Sequence, residues 1–195
     1  LRGQDLGEFQ LPLPGVHNVR NALCALGAAL SMGFDPDTLR AALATAGPVE
    51  RRFEIVGERA GITAIDDYAH HPTEIAATLQ TARACHAGRV VAVFQPHLYS
   101  RTQFLAEAFA RSLALADMVM LADIYPAREA PIPGVTSELV TRALSKHGRP
   151  TLGPHPRAQI VPRLRTAVHR GDLVVFIGAG DIGACAREFL DTLPA

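Results

Sequence analysis

"GITAIDDYAHHPTEI", residues 61–75, decides the fold. Its first part, GITAI, is a short run of apolar and β-branched residues, the composition of a strand buried in a sheet. Its end opens a helix: Pro72 suits the first helical position, and Glu74 can reach back to the chain before it. Between them, two carboxylates, a phenol and two imidazoles fall within the six positions 66–71. A buried strand that runs through a polar loop into a helix is the first half of a βαβ unit.

The same order repeats outward. The strand-like runs FEIV (53–56), GITAID (61–66), RVVAVF (89–94), DMVMLAD (117–123) and DLVVFIG (172–178) are separated by helical stretches near 73–85, 102–115, 137–147, 156–169 and 181–192. Buried strands alternating with amphipathic helices predict an α/β domain, a doubly wound and mainly parallel sheet covered on both faces. Ligands collect at the carboxyl ends of strands in such sheets. The polar clusters obey this: DDYAHH follows GITAI, QPHLYSRT follows RVVAVF, and YPAREAPIPG follows DMVMLAD, so three chemically rich loops share one rim. YPAREAPIPG, residues 125–134, is the longest expected loop, and its length suits a functional loop better than a tight connection.

Ahead of residue 50 the pattern differs. GEFQLPLPG (7–15) reads as a strand arriving from elsewhere. HNVRNALCALGAALSMG (17–33) follows as a helix, with Val19, Leu23, Leu26 and Leu30 on its apolar face and Gly33 at its end. A second helix starts from Asp35 as cap and Pro36 as first residue, shows Leu39, Leu43 and Ala46, and stops at Gly47-Pro48. A domain boundary is placed near residue 50. With no Met at residue 1, the chain reads as the C-terminal part of something longer.

Nineteen basic residues balance nineteen acidic ones without a block of either sign, which argues against a nucleic-acid or membrane surface. No run approaches the ~18 apolar residues of a membrane span. Cys24, Cys85 and Cys185 are odd in number and form no CxxC pair, so neither a disulfide framework nor a structural zinc site is indicated. Cys85 is expected to be buried. The default is a soluble cytoplasmic protein.

A helix N-terminus such as the one at Pro72 presents free N–H groups and suits a carboxylate or phosphate. His71 and Glu74 could share a helical face toward a metal, but Pro72 and the lack of a third ligand weigh against it, and no metal ligand is assigned. Arg101 stands at a helix start, where a cation is disfavoured, a placement easier to understand if an anion sits between its guanidinium and the amides. His17, Asn18 and Asn21 lie at a helix start, either as ordinary caps or as readers of a purine edge. Arg51 and Arg52 could make ion pairs or hold phosphate. GAGDIG (178–183) fits G-x-G-x-x-G, but the acidic residue on a following strand that a dinucleotide site needs is missing, so it reads as a close strand-to-helix turn.

Taken together, GVHNVRNALCALGAAL, ERRFE, DDYAHHPTEI, FQPHLYSRT, YPAREAPIPGV and GAGDIG resemble the C-terminal half of the Mur ligases. Within that family they are most similar to the branch that couples L-alanine to UDP-N-acetylmuramate in peptidoglycan synthesis. The resemblance implies three domains, with residues 1–50 the helical tail of the central ATP-binding domain and 51–195 a Rossmann-like C-terminal domain. No G-x-x-x-x-G-K-[ST] phosphate loop is present, and the magnesium ligands are expected mostly in the upstream domain, so this piece alone should not catalyse.

The reaction implied is phosphorylation of the muramoyl carboxylate by ATP, then displacement of phosphate by the alanine amine. By motif, His17, Asn18 and Asn21 look like the adenine and ribose side of the ATP site, and Arg52 like a phosphate contact. Asp66 or Asp67 would hold the ribose or a phosphate-water network. Tyr68, His70 and Arg101 would frame the amino acid, with Arg101 on its carboxylate, and His70 and Asp67 are the expected catalytic pair. Leu98 departs from relatives that carry a second arginine after the FQPH histidine. The rivals are a murein tripeptide ligase of cell-wall recycling, a nucleotide-binding module without chemistry, and a dinucleotide oxidoreductase resting on GAGDIG alone.

Overall fold

In the computed structural model, which describes residue 3, residues 5–47 and residues 49–194, the chain divides into two units, Leu1–Val49 and Glu50–Ala195. The first holds helices α1 (Val16–Ser31) and α2 (Pro36–Ala44). The Asp35 carboxylate accepts from the Thr38 amide at 3.0 Å, and Pro36 takes the first helical position. Pro48, expected to end α2, lies outside the described residues. Residues 7–15 form no strand; the carbonyls of Leu6 and Glu8 accept from the Arg40 guanidinium at 2.5 and 2.9 Å, so a side chain satisfies backbone that a strand partner would otherwise have taken. The expected apolar stripe of α1 exists as a helix face, yet Val19 and Leu23 are exposed.

The second unit is a six-stranded sheet of order β1-β2-β6-β3-β4-β5, made from β1 (Glu54–Arg59), β2 (Ile62–Asp67), β3 (Val90–Phe94), β4 (Met118–Ala122), β5 (Thr151–His155) and β6 (Leu173–Ile177). Every neighbouring pair is parallel except β1 with β2. That hairpin turns on Ala60 and Gly61, both with positive φ, as a two-residue turn between strands of ordinary twist requires. Helices α3 (Pro72–Cys85), α4 (Tyr99–Leu113) and α5 (Glu138–Ser145) cover one face, while α6 (Arg157–Ala167) and α7 (Ala184–Asp191) cover the other.

The strands show why both faces must be covered. In β3, Val90, Ala92 and Phe94 join the core under α3, α4 and α5, whereas Val91 and Val93 join the core under α6 and α7. Period-two alternation with no polar side produces a strand apolar on both faces. Phe94 and Phe109, both fully buried, meet with ring centroids 5.1 Å apart, and burying such a side chain contributes about 1.5–3 kcal/mol. This is the mainly parallel, doubly wound α/β sheet that the alternation predicts.

Local features of this unit depart from the expectation. β5, TLGPH, has no strand signature in the sequence because Gly153 and Pro154 are poor strand residues; the strand is at the edge beside β4, where a missing amide is tolerated. α7 begins at Ala184 and not near 181, because residues 178–183 are used in the turn. Cys85 is exposed: it is the last residue of α3, past the face that Leu79 and Ala82 bury, while Cys185 is the buried one, its thiol pushed up to about 11 by burial.

Candidate functional site

The parallel strands bring the loops after β2, β3, β4 and β6 to one edge of the sheet. Asp66 and Asp67 end β2, and both are buried. Asp67 is spoken for: its Oδ2 accepts from the Phe53 amide at 2.9 Å and its Oδ1 from the Ala69 amide at 2.8 Å. Burial nevertheless raises its carboxyl above the ordinary range, against the pull of those two amides, the Thr78 hydroxyl and Arg52. Burial also raises Asp66, opposed by Arg51, whose Nε donates to Asp66 Oδ2 at 3.2 Å.

Arg51 is a structural hub. Its guanidinium also donates to the carbonyls of Gly178 at 2.7 Å and Gly180 at 3.3 Å, tying the β6–α7 turn to the end of β2. Arg52 is different: it is exposed and makes no hydrogen bond or ion pair among the described residues, with its guanidinium 5.8 Å from the centre of the Tyr68 ring. The two adjacent arginines thus separate into one that builds the rim and one that is available to a ligand.

From Arg52 a row of flat groups crosses the rim. Tyr68 meets His70 edge-on with centroids 5.3 Å apart, His70 lies 6.2 Å from His97, and His97 stacks on Tyr125 at 5.7 Å with 15° between the planes. Burial first, then Arg101 and His70, lower the His97 pKa, against Glu129, so a neutral imidazole is favoured at neutral pH. Its Nδ1 and the Arg101 Nη1 have no hydrogen-bond partner among the described residues. Such buried groups cost about 1–3 kcal/mol each unless a partner is supplied. A guanidinium and an imidazole short of partners, beside a second imidazole, suit a carboxylate.

The helix start at Pro72 is as expected. Glu74 Oε2 accepts from the amides of His70 at 2.9 Å and His71 at 3.1 Å, completing a capping box. Burial raises the Glu74 pKa, but the two amides, the His70 charge and Arg52 outweigh it, and the net shift is downward. A lowered folded pKa means stability present above the unfolded value, about 4.3, and lost as pH falls through the folded one. The Tm difference between wild type and Glu74→Gln should therefore shrink on acidification below about pH 4.5. A difference that stays constant from neutral pH to pH 3 would refute the assignment. Asp66 and Asp67, with raised values, work in the opposite direction and gain as pH falls.

The glycine turn is filled from within. Gln95 Nε2 donates to Asp181 Oδ1 at 2.8 Å, and Gln95 Oε1 accepts from the Ile182 amide at 3.3 Å. A Cβ on Gly180 would collide with Gln95 and the Tyr125 ring, and one on Gly183 with the Asp66 carboxylate. These glycines are there for close packing of the chain on itself, where a dinucleotide site would keep the space for pyrophosphate. Beside the turn, a cavity of about 610 Å³ opens between β1, the end of β2 and α7. Its lining includes Glu54, Asp66, Asp181, Glu188 and Asp191 against Arg51 and Arg187, an acidic balance unsuited to phosphates.

The expected residues Arg52, Asp66, Asp67, Tyr68, His70 and Arg101 all lie at this rim. His17, Asn18 and Asn21 lie in the other unit, at the start of α1, where Asn18 Nδ2 donates to the Pro14 carbonyl at 2.7 Å and leaves its Oδ1 as an acceptor. Sequence reasoning puts the loops that hold His97 and Glu129 at the rim but gives neither residue a role; their place in the loops after β3 and β4 is the hint it offers. Among the described residues, no group of three or more His, Cys, Asp or Glu could hold a metal ion. Among the described residues, no helix is long and apolar enough to cross a membrane.

Comparison with known proteins agrees on one family. The chain is 42% identical over 189 residues to a UDP-N-acetylmuramate–L-alanine ligase of Syntrophomonas wolfei, covering 97% of this chain and 41% of that protein. It is 46% identical over 198 residues to the enzyme of that name from Salinibacter ruber, again covering 41% of it. The chain therefore spans about two fifths of the length of these relatives. Among solved structures, the UDP-N-acetylmuramate-alanine ligase of Thermotoga maritima matches 97% of the chain and 40% of its own length, with a TM-score of 0.77 at 31% identity. A murein peptide ligase of Psychrobacter arcticus matches 96% of the chain and 39% of its own length, with a TM-score of 0.70 at 26% identity. Since the model of the Mur ligase, glutamate ligase domain also matches residues 51–180, the chain belongs to the Mur ligase family.

Proposed function

We propose that this chain is the nucleotide- and amino-acid-contacting C-terminal part of an ATP-dependent ligase that joins L-alanine to UDP-N-acetylmuramate. The observation that carries the proposal is the convergence of Arg101, His97 and His70, two of them short of hydrogen-bond partners, on the rim that also presents the exposed Arg52. A zwitterionic amino acid needs a cation for its carboxylate, and Arg101 supplies a fork for it. His70 is held by its own chain: its Nδ1 lies 2.9 Å from the Tyr68 carbonyl, which fixes the ring and leaves Nε2 to face the substrate. Arg52 takes nucleotide phosphate, while His17, Asn18 and Asn21 contact the adenine and ribose. Asp67 contributes by holding the backbone just after Arg52 and just after Tyr68, through the Phe53 and Ala69 amides, and Asp66 by fixing Arg51.

ATP supplies the activation, turning the muramoyl carboxylate into an acyl phosphate that an amine can attack. The ligands of the accompanying magnesium belong, in this proposal, to a preceding ATP-binding domain, of which residues 1–50 are the tail. The complete enzyme then acts in the cytoplasm, in cell-wall biogenesis, on which cell shape and division depend.

The test is to express the complete reading frame, supply ATP, magnesium and UDP-N-acetylmuramate, and compare ADP release with L-alanine and with a stem tripeptide. Alanine-dependent release is expected. Release only with the tripeptide would assign the recycling reaction, a result compatible with the murein peptide ligase likeness, and no release with either would leave a binding module.

A further inference from the structure

Helix α4 carries Arg101 in its first turn and has no cap of its own. Leu98 stands at the N-cap position with φ 70°, and its side chain accepts nothing. The acceptor comes from the long loop after β4: Glu129 Oε2 accepts from the Ser100 amide at 3.0 Å, and Glu129 Oε1 from the Ser100 hydroxyl at 2.5 Å. The same loop is pinned at its root. Tyr125 N donates to the Pro96 carbonyl at 2.8 Å, Leu98 N donates to the Tyr125 carbonyl at 2.9 Å, and the Tyr125 ring stacks on His97. Tyr125 and Glu129 therefore grip the chain on either side of Leu98, a bulky residue in a left-handed conformation that persists only where its surroundings hold it.

An anion is favoured at a helix N-terminus, and the sequence leads one to look for a bound anion between Arg101 and the amides. Here the chain provides one itself. With the Ser100 amide already occupied, an incoming carboxylate meets the Arg101 Nη1 and the His97 Nδ1, buried atoms that lack a partner among the described residues. Thr102 keeps its own bonds to the Leu98 carbonyl, through its amide at 3.1 Å and its hydroxyl at 2.8 Å, so loss of Glu129 loosens residues 99–101 and spares the helix beyond.

We propose that Glu129 is a positioning residue: by capping α4 from a distant loop it fixes where Arg101 points, and so sets the affinity for the amino acid while taking no part in the chemistry. The proposal rests on the amino-acid reading of the rim given above.

The experiment uses the complete reading frame as wild type, Glu129→Ala and Glu129→Gln. Glu129→Ala should raise the apparent KM for L-alanine roughly tenfold and leave that for ATP within about twofold, the size expected of a lost helix cap. Glu129→Gln keeps one oxygen for the Ser100 amide and should recover most of the loss. Amide hydrogen exchange of residues 99–101 should quicken in Glu129→Ala while the rest of α4 keeps its protection. An unchanged alanine KM, a parallel rise in both KM values, or unchanged exchange at 99–101 would overturn the proposal with the rim assignment intact. A wild-type enzyme active only with the tripeptide, or inactive, would instead remove the amino-acid reading, and the proposal with it.

Discussion

Arg101→Ala, in the complete ligase, is expected to raise the apparent KM for L-alanine by roughly 30- to 100-fold and to change that for ATP by no more than about twofold, since a charge-assisted hydrogen bond contributes about 1.5–3 kcal/mol and a bidentate one the upper end. Arg101 sits past the strained Leu98, with Nη1 unpartnered. Its removal deletes the fork and leaves the imidazoles of His97 and His70 at the rim. Arg101→Lys should retain charge without the fork and fall between wild type and alanine. Steady-state kinetics with alanine and ATP varied in turn would decide it. Equal increases for both substrates would mean that Arg101 supports the rim as a whole and does not address the amino acid.

Asp67→Ala is expected to lower the Tm by roughly 6–12 °C. Two buried amides, those of Phe53 and Ala69, lose their acceptor together. Unsatisfied buried donors cost about 1–3 kcal/mol each, part of which returns because the carboxylate no longer has to be desolvated. A net loss near 3 kcal/mol corresponds to about 2–4 °C per kcal/mol for a chain of this size. Asp67→Asn keeps one acceptor but turns an NH₂ toward the second amide, and should recover less than half of the loss. Calorimetry on the 195-residue chain suffices, because this effect precedes any chemistry. A Tm within about 2 °C of wild type would show that Asp67 is not the brace described, and would return it to the ligand contacts.

The strands were legible where their own residues carry the signal. GITAI, RVVAVF, MVMLA and LVVFI are apolar on both faces, and their alternation with helices is enough for the doubly wound class. TLGPH was not legible, since an edge strand with glycine and proline has no signature of its own. The sequence pattern puts the start of α4 three residues later than Tyr99 for a different reason: the group that caps it, Glu129, is 29 residues away from Ser100, and capping patterns in sequence are local. The rim divides in the same way. The density of titratable groups in DDYAHH marked that loop, and the family motifs gave Tyr68, His70, Arg52 and Arg101 their expected roles. That His97 would stack on Tyr125, or that Arg51 would be consumed by Asp66 and two carbonyls while Arg52 stays exposed, depends on contacts between residues up to 129 positions apart.

The place of β6 bears on how the molecule is made. Leu173–Ile177 pairs with β2 on one side and β3 on the other, so the last strand among the described residues fills the centre of the sheet. While a ribosome is still translating residues 150–170, the loops carrying Tyr68 and His97 belong to strands that have no lateral partner in common, with apolar edges open to solvent and to neighbouring chains. The rim is assembled only when that strand is inserted. A stop codon ahead of Leu173 would thus not trim an edge from the domain; it would remove the piece that brings its two halves together, and the truncated product would present to the quality-control machinery as an aggregation-prone intermediate.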